Sequence, residues 1–531
     1  VHNARREWLC VLGTLLALVA IQLYFVPPGN FGGLDEWLDV ELISRGIVAV
    51  PFAYRPLGLL AGLPAAPLFP HFGFAVFRGL YGVYAVLSGA LTFGLVKRLL
   101  PGRASLALLA AGLVVAWAPR DMAHLSNLDS ALYQGITLLN LLAVALLVEA
   151  WHRNSPPLLG AGVLTAFLAI RCYEGGTILL LAAPLLLLLT QPRSRRLWTW
   201  IAAWEAVVGL AAAFVLLEVS VSARESAYQL SVLGGVDSDA LGWLGRVFRQ
   251  YAFHLWPVVA SSPRELLEPG VGLAVAVLLC GLAGLGHGSS EARQRRPLVL
   301  AGLAGLVLAG LAYSLVLVGW RAPTAYRIQF LSAPGIALFL ASAAHLLGSL
   351  GRGRERLLTA LLGAWIVAVG TGRTLAMQEE WTRLSMRPRQ FHMLSQLARA
   401  VPDVVPHTLL IALDDAGAWA GSFSFHHAVQ YLYERRAAGF VPRRADTLYQ
   451  ASLAPDGIRF EPWVIVRRAW DAPTTVFGYD EIVVVRHAVS GGIEVLDRWP
   501  ADLKPLPPGA RYEPRGRIRP GSMTRASILE R

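Results

Sequence analysis

The chain has 531 residues, 55% hydrophobic and only 15% charged, with a net charge of +12. A soluble domain carries about a quarter charged residues, so the composition excludes an ordinary soluble enzyme and points to several membrane spans. The basic residues fall in short clusters between apolar runs, which argues against a nucleic-acid-binding face. Cys10, Cys172 and Cys280 lie in or beside apolar runs and show no disulfide framework or metal-ligand spacing.

Apolar stretches long enough to cross a bilayer recur as far as residue 375. They number about eleven, at 7–27, 74–96, 104–119, 131–150, 157–171, 174–190, 198–219, 268–286, 298–319, 328–350 and 357–375. The first is too long and uninterrupted for a signal-peptide core and lacks a small-residue cleavage site, so it reads as a retained span. Arg5-Arg6 precede it. Lys97, Arg98 and Arg103 follow the second, and His152-Arg153 the fourth. Arg193, Arg195 and Arg196 follow the sixth, Arg293, Arg295 and Arg296 the eighth, and Arg352, Arg354 and Arg356 the tenth. Every second connection is basic, so these connections are expected to be cytoplasmic. The loops at 28–73, 120–130, 220–267 and 320–327, and all that follows the last span, are then expected outside.

The loop at 28–73 organises the reading. An acidic pair, Asp35-Glu36, follows a Pro-Pro-Gly-Asn turn, and Asp39, Glu41 and Tyr54-Arg55-Pro56-Leu57 come after it. Trp37, Leu38, Val40, Leu42 and Ile43 lie among the acids, so a helix over about 34–47 would have an apolar and an acidic side and lie on the membrane surface. Carboxylates held there near an arginine could deprotonate a hydroxyl acceptor while cations hold a phosphate. A solvated loop with a charged face is the other reading of the same residues.

Other polar residues at the external ends of spans are functional candidates because charge near the membrane is costly. The loop after the third span holds Arg120, His124 and Asp129. Asp129 begins the fourth span, where a carboxylate caps a helix, orients an arginine or binds a metal. Arg171 and Glu174, at i, i+3, are expected to pair or to line the site. Arg321 and Tyr326-Arg327 frame the loop before the tenth span, where arginine clamps a phosphate or meets lipid headgroups. Arg246, Arg249, Tyr251, Phe253, His254 and Trp256 read as an interfacial amphipathic segment.

From about residue 376 charges of both signs mix. Strands are expected at Thr408–Leu413, Trp463–Val466 and Ile482–Val485, with an amphipathic helix from Phe425 to Arg436. His426-His427 has no zinc-site spacing and reads as a surface pair. Beyond Leu503 the chain is rich in Pro, Gly and Arg and reads as a loosely ordered tail. The expected division is a membrane domain at 1–375 that includes the first loop, an external domain at 376–503 and a tail at 504–531.

With these residues placed, the chain resembles the GT-C glycosyltransferases of the bacterial inner membrane. It looks closest to the branch with the protein mannosyltransferases and the lipid A aminoarabinose transferase. The pattern covers roughly residues 7–350. Asp35-Glu36 matches an Asp-Glu pair in the first external loop, and Tyr54-Arg55-Pro56-Leu57 stands where the branch has a Lys-Pro-Pro-Leu-like element. Phe77-Arg78 heads the second span and Asp129 opens the fourth. Gly160 to Arg171 matches a Gly-rich span ending in a basic residue, and Tyr326-Arg327 with Pro334 matches an Arg-Tyr-like element in reversed order. Trp37 stands near where the branch has a tyrosine, and Arg55 replaces a lysine.

The resemblance implies a mainly α fold: a polytopic transmembrane bundle of about eleven spans with a small C-terminal α/β extracytoplasmic domain. It implies transfer of a sugar from a polyprenyl-phosphate donor to an extracytoplasmic glycan, lipid or protein, with inversion. Asp35 would be the general base with Glu36 beside it. Tyr54, Arg55, Arg120, His124, Asp129, Arg171, Glu174, Arg321, Tyr326 and Arg327 would bind substrate. No cofactor is required, although Asp35 and Asp129 offer carboxylates to a divalent cation. The expected partners are the donor, the acceptor and membrane lipids, not nucleic acid. A transporter or flippase, a non-catalytic assembly protein for envelope polysaccharide, and an O-antigen ligase or polymerase are the competing readings. A transporter would be expected to show broken helices and charge at mid-membrane.

Overall fold

The computed structural model describes residues 2–25, 35–50, 55–117, 128–225, 239–285, 295–317, 329–351, 353–444, 446, 448–470, 472–521 and 525–529. The helices begin with α1 (His2–Phe25), α2 (Glu36–Ser44), α3 (Ala75–Leu99), α4 (Ala104–Ala116) and α5 (Leu128–Arg153). Next come α6 (Pro156–Cys172), α7 (Arg195–Glu225), α8 (Ala240–Leu255), α9 (Val271–Gly284) and α10 (Arg295–Leu317). The series ends with α11 (Gln329–Gly348), α12 (Glu355–Leu384), α13 (Arg387–Ala400), α14 (Ser422–Leu432) and α15 (Val464–Trp470). The chain divides into two compact units. One holds residues 1–28, 78–126 and 130–380, and the other holds residues 29–77, 127–129 and 381–531.

The first unit is helical. Among the described residues seven helices are long and apolar enough to cross a membrane: α1, α3, α5, α7, α10, α11 and α12. The remaining four expected spans fall on shorter apolar helices, α4, α6, α9 and the Glu174–Leu188 segment. α4 shows how such a bundle is built. It is apolar on every side, and every residue from Leu106 to Ala116 is buried, as expected of a helix at the centre of the packing. The basic connections make contacts that gather helix ends. Lys97 pairs with Glu7, while Arg98 meets Glu149 through two hydrogen bonds of 3.1 Å and Arg153 pairs with the same carboxylate. Arg196 lies 4.6 Å from the centre of the Trp151 ring. The start of α1, the ends of α3 and α5 and the start of α7 therefore share one end of the unit, as the alternation of basic loops requires.

α10 and α11 come together through two glycines. A Cβ on Gly305 would lie 2.5 Å from the Gly335 carbonyl oxygen, and one on Gly335 would lie 2.6 Å from the Gly305 oxygen. Small residues allow this backbone approach, which supplies the packing that lipid cannot.

The second unit is an α/β structure that also takes in the first loop. Among the described residues its strands are β1 (Asp403–Val404), β2 (Thr408–Asp414), β3 (Ala437–Phe440), β4 (Tyr449–Ala454), β5 (Gly457–Pro462), β6 (Thr475–Phe477), β7 (Ile482–His487), β8 (Ile493–Val495) and β9 (Ile518–Arg519). The main sheet has the order β3-β2-β7-β8, with β2 parallel to β3 and β7 and β8 antiparallel at the edge. β2 and β7 are almost wholly buried, which explains their continuous apolar runs. β4, β5 and β6 form an antiparallel sheet, and β1 pairs with β9. α2, read from sequence as a membrane-surface helix with an acidic side, is instead buried from Glu36 to Ile43. Its Trp37 ring lies 5.4 Å from Phe74, 5.8 Å from Phe391 and 6.3 Å from Tyr431, centre to centre.

Three local expectations are corrected. The Trp463–Val466 stretch is not a strand: Pro462 ends β5, and helix α15 follows. Val466 and Trp470 are buried at i, i+4 while Val464 is exposed. The β-branched run mimics a strand, but the burial follows a helical period. The helix expected at Phe425–Arg436 runs from Ser422 to Leu432 and buries every residue except Gln430, so it is not amphipathic. The segment beyond Leu503 is held rather than loose. β9 pairs with β1, the Tyr512 hydroxyl accepts from Val484 N at 3.0 Å, and Arg517 donates to the carbonyls of Pro406 and His407 at 2.7 and 2.6 Å. Its arginines find backbone acceptors that local composition cannot reveal.

Replacing Gly335 with leucine is expected to destabilise the first unit by about 1–3 kcal/mol, the usual cost of overpacking. Thermal unfolding of the full-length protein in detergent measures it. At Gly353 an added Cβ would meet nothing within 4 Å, but φ is +76°, so a leucine there should act only through local turn strain.

Candidate functional site

The candidate residues from the first loop belong to the second unit. Asp35 occupies the N-cap position of α2, and its carbonyl accepts from Asp39 N at 2.9 Å. Of the four carboxylates in this stretch, Glu36, Asp39 and Glu41 are buried, while Asp35 is only half-buried. Arg55 starts a turn in which its carbonyl accepts from Gly58 N at 3.2 Å.

α2 is fixed by a chain of polar groups running to α14. Glu41 accepts from Arg45 Nη1 at 3.2 Å, and its Oε2 lies 3.3 Å from His427 Nδ1. The Tyr449 hydroxyl lies 3.1 Å from His427 Nε2. Burial by itself would raise the Glu41 carboxyl, but the hydrogen bond and charge of His427, with Arg45, outweigh it and hold the group below its ordinary value. Burial pushes the Tyr449 phenol well above its usual range, and the Glu41 and Asp446 carboxylates add to the effect. The Glu41 carboxylate and the Tyr449 hydroxyl thus flank the two ring nitrogens of His427, and Nδ1–H donates to the carboxylate, which can only accept. The Trp470 indole donates to the Ala49 carbonyl at 2.9 Å and fastens the strand of chain after α2.

His426 and His427, read as a surface pair, are 7% and 2% exposed. His426 stacks on Phe460, with ring centres 5.0 Å apart, and burial followed by the adjacent His427 lowers its pKa well below the usual value. Two histidines in sequence look hydrophilic, but these lie on a buried helix and one of them meets a carboxylate 386 residues away.

In the first unit Arg171 makes a bidentate pair with Glu218 of α7 and lies 5.2 Å from the Phe214 ring centre. From sequence, Arg171 and Glu174 are expected to pair or to line the site. Glu174 opens a short turn next to Tyr173, whose ring sits 5.8 Å from Tyr133 and 5.6 Å from Phe330. Sequence reasoning missed a buried polar group on α8, α10 and α11. His254 Nδ1 is 2.8 Å from the Tyr313 hydroxyl and 3.3 Å from Ser332 Oγ, and Gln329 donates to Gln250 at 2.8 Å. α8 turns these polar groups inward while Leu241, Leu244 and Phe248 are exposed, so its amphipathicity is read correctly and its polar side packs on helices. Single polar residues inside apolar runs were the available signal. The unit also holds a small cavity of about 90 Å³ with mainly leucine walls, where Thr92, Thr137 and Asn140 are the polar lining.

Tyr54, Arg120, His124, Arg321, Tyr326 and Arg327 lie outside the described residues. Asp129 opens α5, as expected, and groups with the second unit, but its side chain is outside the described residues. The structure thus brings Asp35, Glu36, Arg55 and the backbone of Asp129 into one unit and places Arg171 and Glu174 in the other. Among the described residues no group of three or more His, Cys, Asp or Glu side chains could hold a metal ion. No family model and no curated protein matches the chain.

Truncating His427 to alanine would leave the Glu41 carboxylate buried beside only Arg45. The expected cost is about 3–5 kcal/mol, and replacing Glu41 and His427 together by apolar residues should cost less. Thermal unfolding of the single and double variants decides between these outcomes. Glu41 ionises more easily in the folded unit than at its ordinary value of 4.5. Its contribution to stability is therefore present above about pH 4.5 and is lost as pH falls through the lower folded value. A Glu41→Gln variant should lose that part of the acid dependence.

Proposed function

We propose that the chain is a polytopic membrane glycosyltransferase of the GT-C type, which moves a sugar from a polyprenyl-phosphate donor to an acceptor outside the cytoplasm. The observation that carries this reading is α2. Its buried acids lock it into a folded unit and leave Asp35 as the one carboxylate of the stretch that is only half-buried. A base must be held in place and still be reachable by its substrate. The finer architecture belongs to the same proposal: α4, α6, α9 and the Glu174–Leu188 segment complete eleven crossings, the basic connections are cytoplasmic, and the α/β unit is extracytoplasmic in a bacterial inner membrane.

In the proposed reaction Asp35 takes the proton of an acceptor hydroxyl as its oxygen attacks the anomeric carbon from the face opposite the phosphate. The bond from that carbon to the phosphate oxygen breaks, its electron pair leaves with the polyprenyl phosphate, and the configuration inverts. The departing phosphate needs positive charge, which Arg55, Arg120, Arg321 and Arg327 are assigned to supply. Tyr54, Tyr326 and His124 are assigned hydrogen bonds to the substrates, with Glu36 and Asp129 orienting the cations. Arg171 is assigned to joining α6 to α7 through Glu218. Nothing in this scheme requires a divalent cation.

The test uses purified protein in nanodiscs, a set of radiolabelled polyprenyl-phosphate sugars and a membrane extract as the source of acceptor. Asp35→Asn is expected to lower transfer by about 10²–10⁴-fold, the usual worth of a general base, while donor binding persists. Equal transfer by both proteins would remove Asp35 from the role. Failure of every donor to bind the wild type would remove the glycosyltransferase reading.

A further inference from the structure

One segment of the helical unit has no part in the transfer chemistry. It is α8 with the short turn Trp256–Val258 after it. α8 starts at one end of α10, where Trp243 donates to the Ser314 carbonyl at 3.1 Å and Arg246 Nε to the Leu317 carbonyl at 3.0 Å. That end is opposite the basic Arg295-Arg296. The helix then descends. The Tyr251 hydroxyl donates to the Leu306 carbonyl, eleven residues or about 16 Å from Leu317 along α10. The Val258 carbonyl accepts from the Trp365 indole of α12 at 3.0 Å.

The chain comes back at once. Gly372 leaves no room for a Cβ beside the Glu265 carbonyl, and Arg264 pairs with Glu379. Gly372 is seven residues, about 10 Å, along α12 from Trp365. α10 and α12 are both long and apolar enough to cross a membrane. α8 therefore enters one leaflet, and the chain after it leaves on the side from which it came. The helix is set into the leaflet instead of lying flat on it.

Its two faces fit that position. Val247, Gln250 and His254 are buried. Leu241, Leu244, Phe248, Trp256 and Val259 are exposed, at the spacing of one helical face. Leu303 and Val307, the neighbours of Leu306 that α10 exposes, are apolar as well. A face at that depth meets hydrocarbon chains. Arg249 breaks the pattern. It is exposed, on the flank of the apolar face, and stands between Arg246 at the end of α10 and Tyr251 further in. That level is the boundary between headgroups and chains. The one carboxylate at α8 is its N-cap, Asp239, which accepts from Gly242 N at 2.9 Å. Among the described residues no carboxylate pairs with Arg249. A cation at this boundary calls for an anion, and the guanidinium fork matches phosphate oxygens two at a time. The occupant therefore needs a phosphate with net negative charge and, next to it, an apolar chain.

We propose that α8 binds an anionic phospholipid, with the phosphate on Arg249 and an acyl chain along Leu244, Phe248 and Trp256. The site needs only that α10 and α12 cross the membrane. It does not rest on the transfer reaction.

The experiment is native mass spectrometry of the full-length protein in neutral detergent, titrated with phosphatidylglycerol and with phosphatidylcholine of the same chains. Phosphatidylglycerol is expected to bind about tenfold more tightly, the worth of one charge-assisted hydrogen bond. Arg249→Gln should abolish that preference, and Arg249→Lys should keep part of it. Phe248→benzoylphenylalanine, irradiated in nanodiscs, should crosslink to the lipid chains, and Arg249→Gln in the same protein should reduce the yield with phosphatidylglycerol. The proposal is overturned if the wild type binds the two lipids equally, or if Arg249→Gln keeps the preference. It is also overturned if polyprenyl phosphate displaces phosphatidylglycerol at equal concentration, since the face would then belong to the sugar donor.

Discussion

A carboxylate taken out of water has to be paired where it lands, and Glu41 is paired by a histidine 386 residues further along the chain. That requirement sets the character of the second unit. Glu41 draws α2 onto α14, the His427 ring then meets Tyr449 at the start of β4, and Trp37 fills the space among Phe74, Phe391 and Tyr431. The loop that follows the first apolar helix is therefore part of an α/β fold. Its acidic residues have two different uses. Glu41 is consumed by structure, whereas Asp35 at the head of the same helix keeps part of its surface.

The helical unit is held by other means. Lipid gives no hydrophobic drive for one helix to leave it for another, so close backbone approach and internal hydrogen bonds supply the specificity. Gly305 against Gly335 is one such contact, and the Trp204 indole donating to the Leu180 carbonyl at 2.9 Å is another. The inward polar side of α8, with His254 against Tyr313 and Ser332, belongs to the same scheme. Charges in this unit cluster at helix ends, as in the network of Arg98, Glu149 and Arg153.

Much of the architecture could be read from the residues. Apolar runs locate the helices because a spanning segment must satisfy its backbone internally and show apolar side chains outside. The runs at Thr408 and Ile482 are strands as read, since a buried parallel strand is apolar throughout. The errors arose where partners are distant. His426-His427 looked like a surface pair because nothing near it in sequence shows Glu41, Tyr449 or Phe460. Trp463–Val466 looked like a strand because β-branched residues dominate it, yet burial at Val466 and Trp470 follows a helical spacing. The arginine-rich end looked loose because its acceptors are carbonyls of β1 and its neighbours. The acidic pair itself was conspicuous in sequence, but which of its neighbours would be buried could not be read from the loop alone.

Hydrogen–deuterium exchange of the full-length protein in nanodiscs tests most directly whether α2 is an integral part of the α/β unit. Amides of 36–44 are expected to be protected to the same degree as those of 422–432, and His427→Ala should lower the protection of both together. Rapid exchange of 36–44 in the wild type, with 422–432 still protected, would contradict the account.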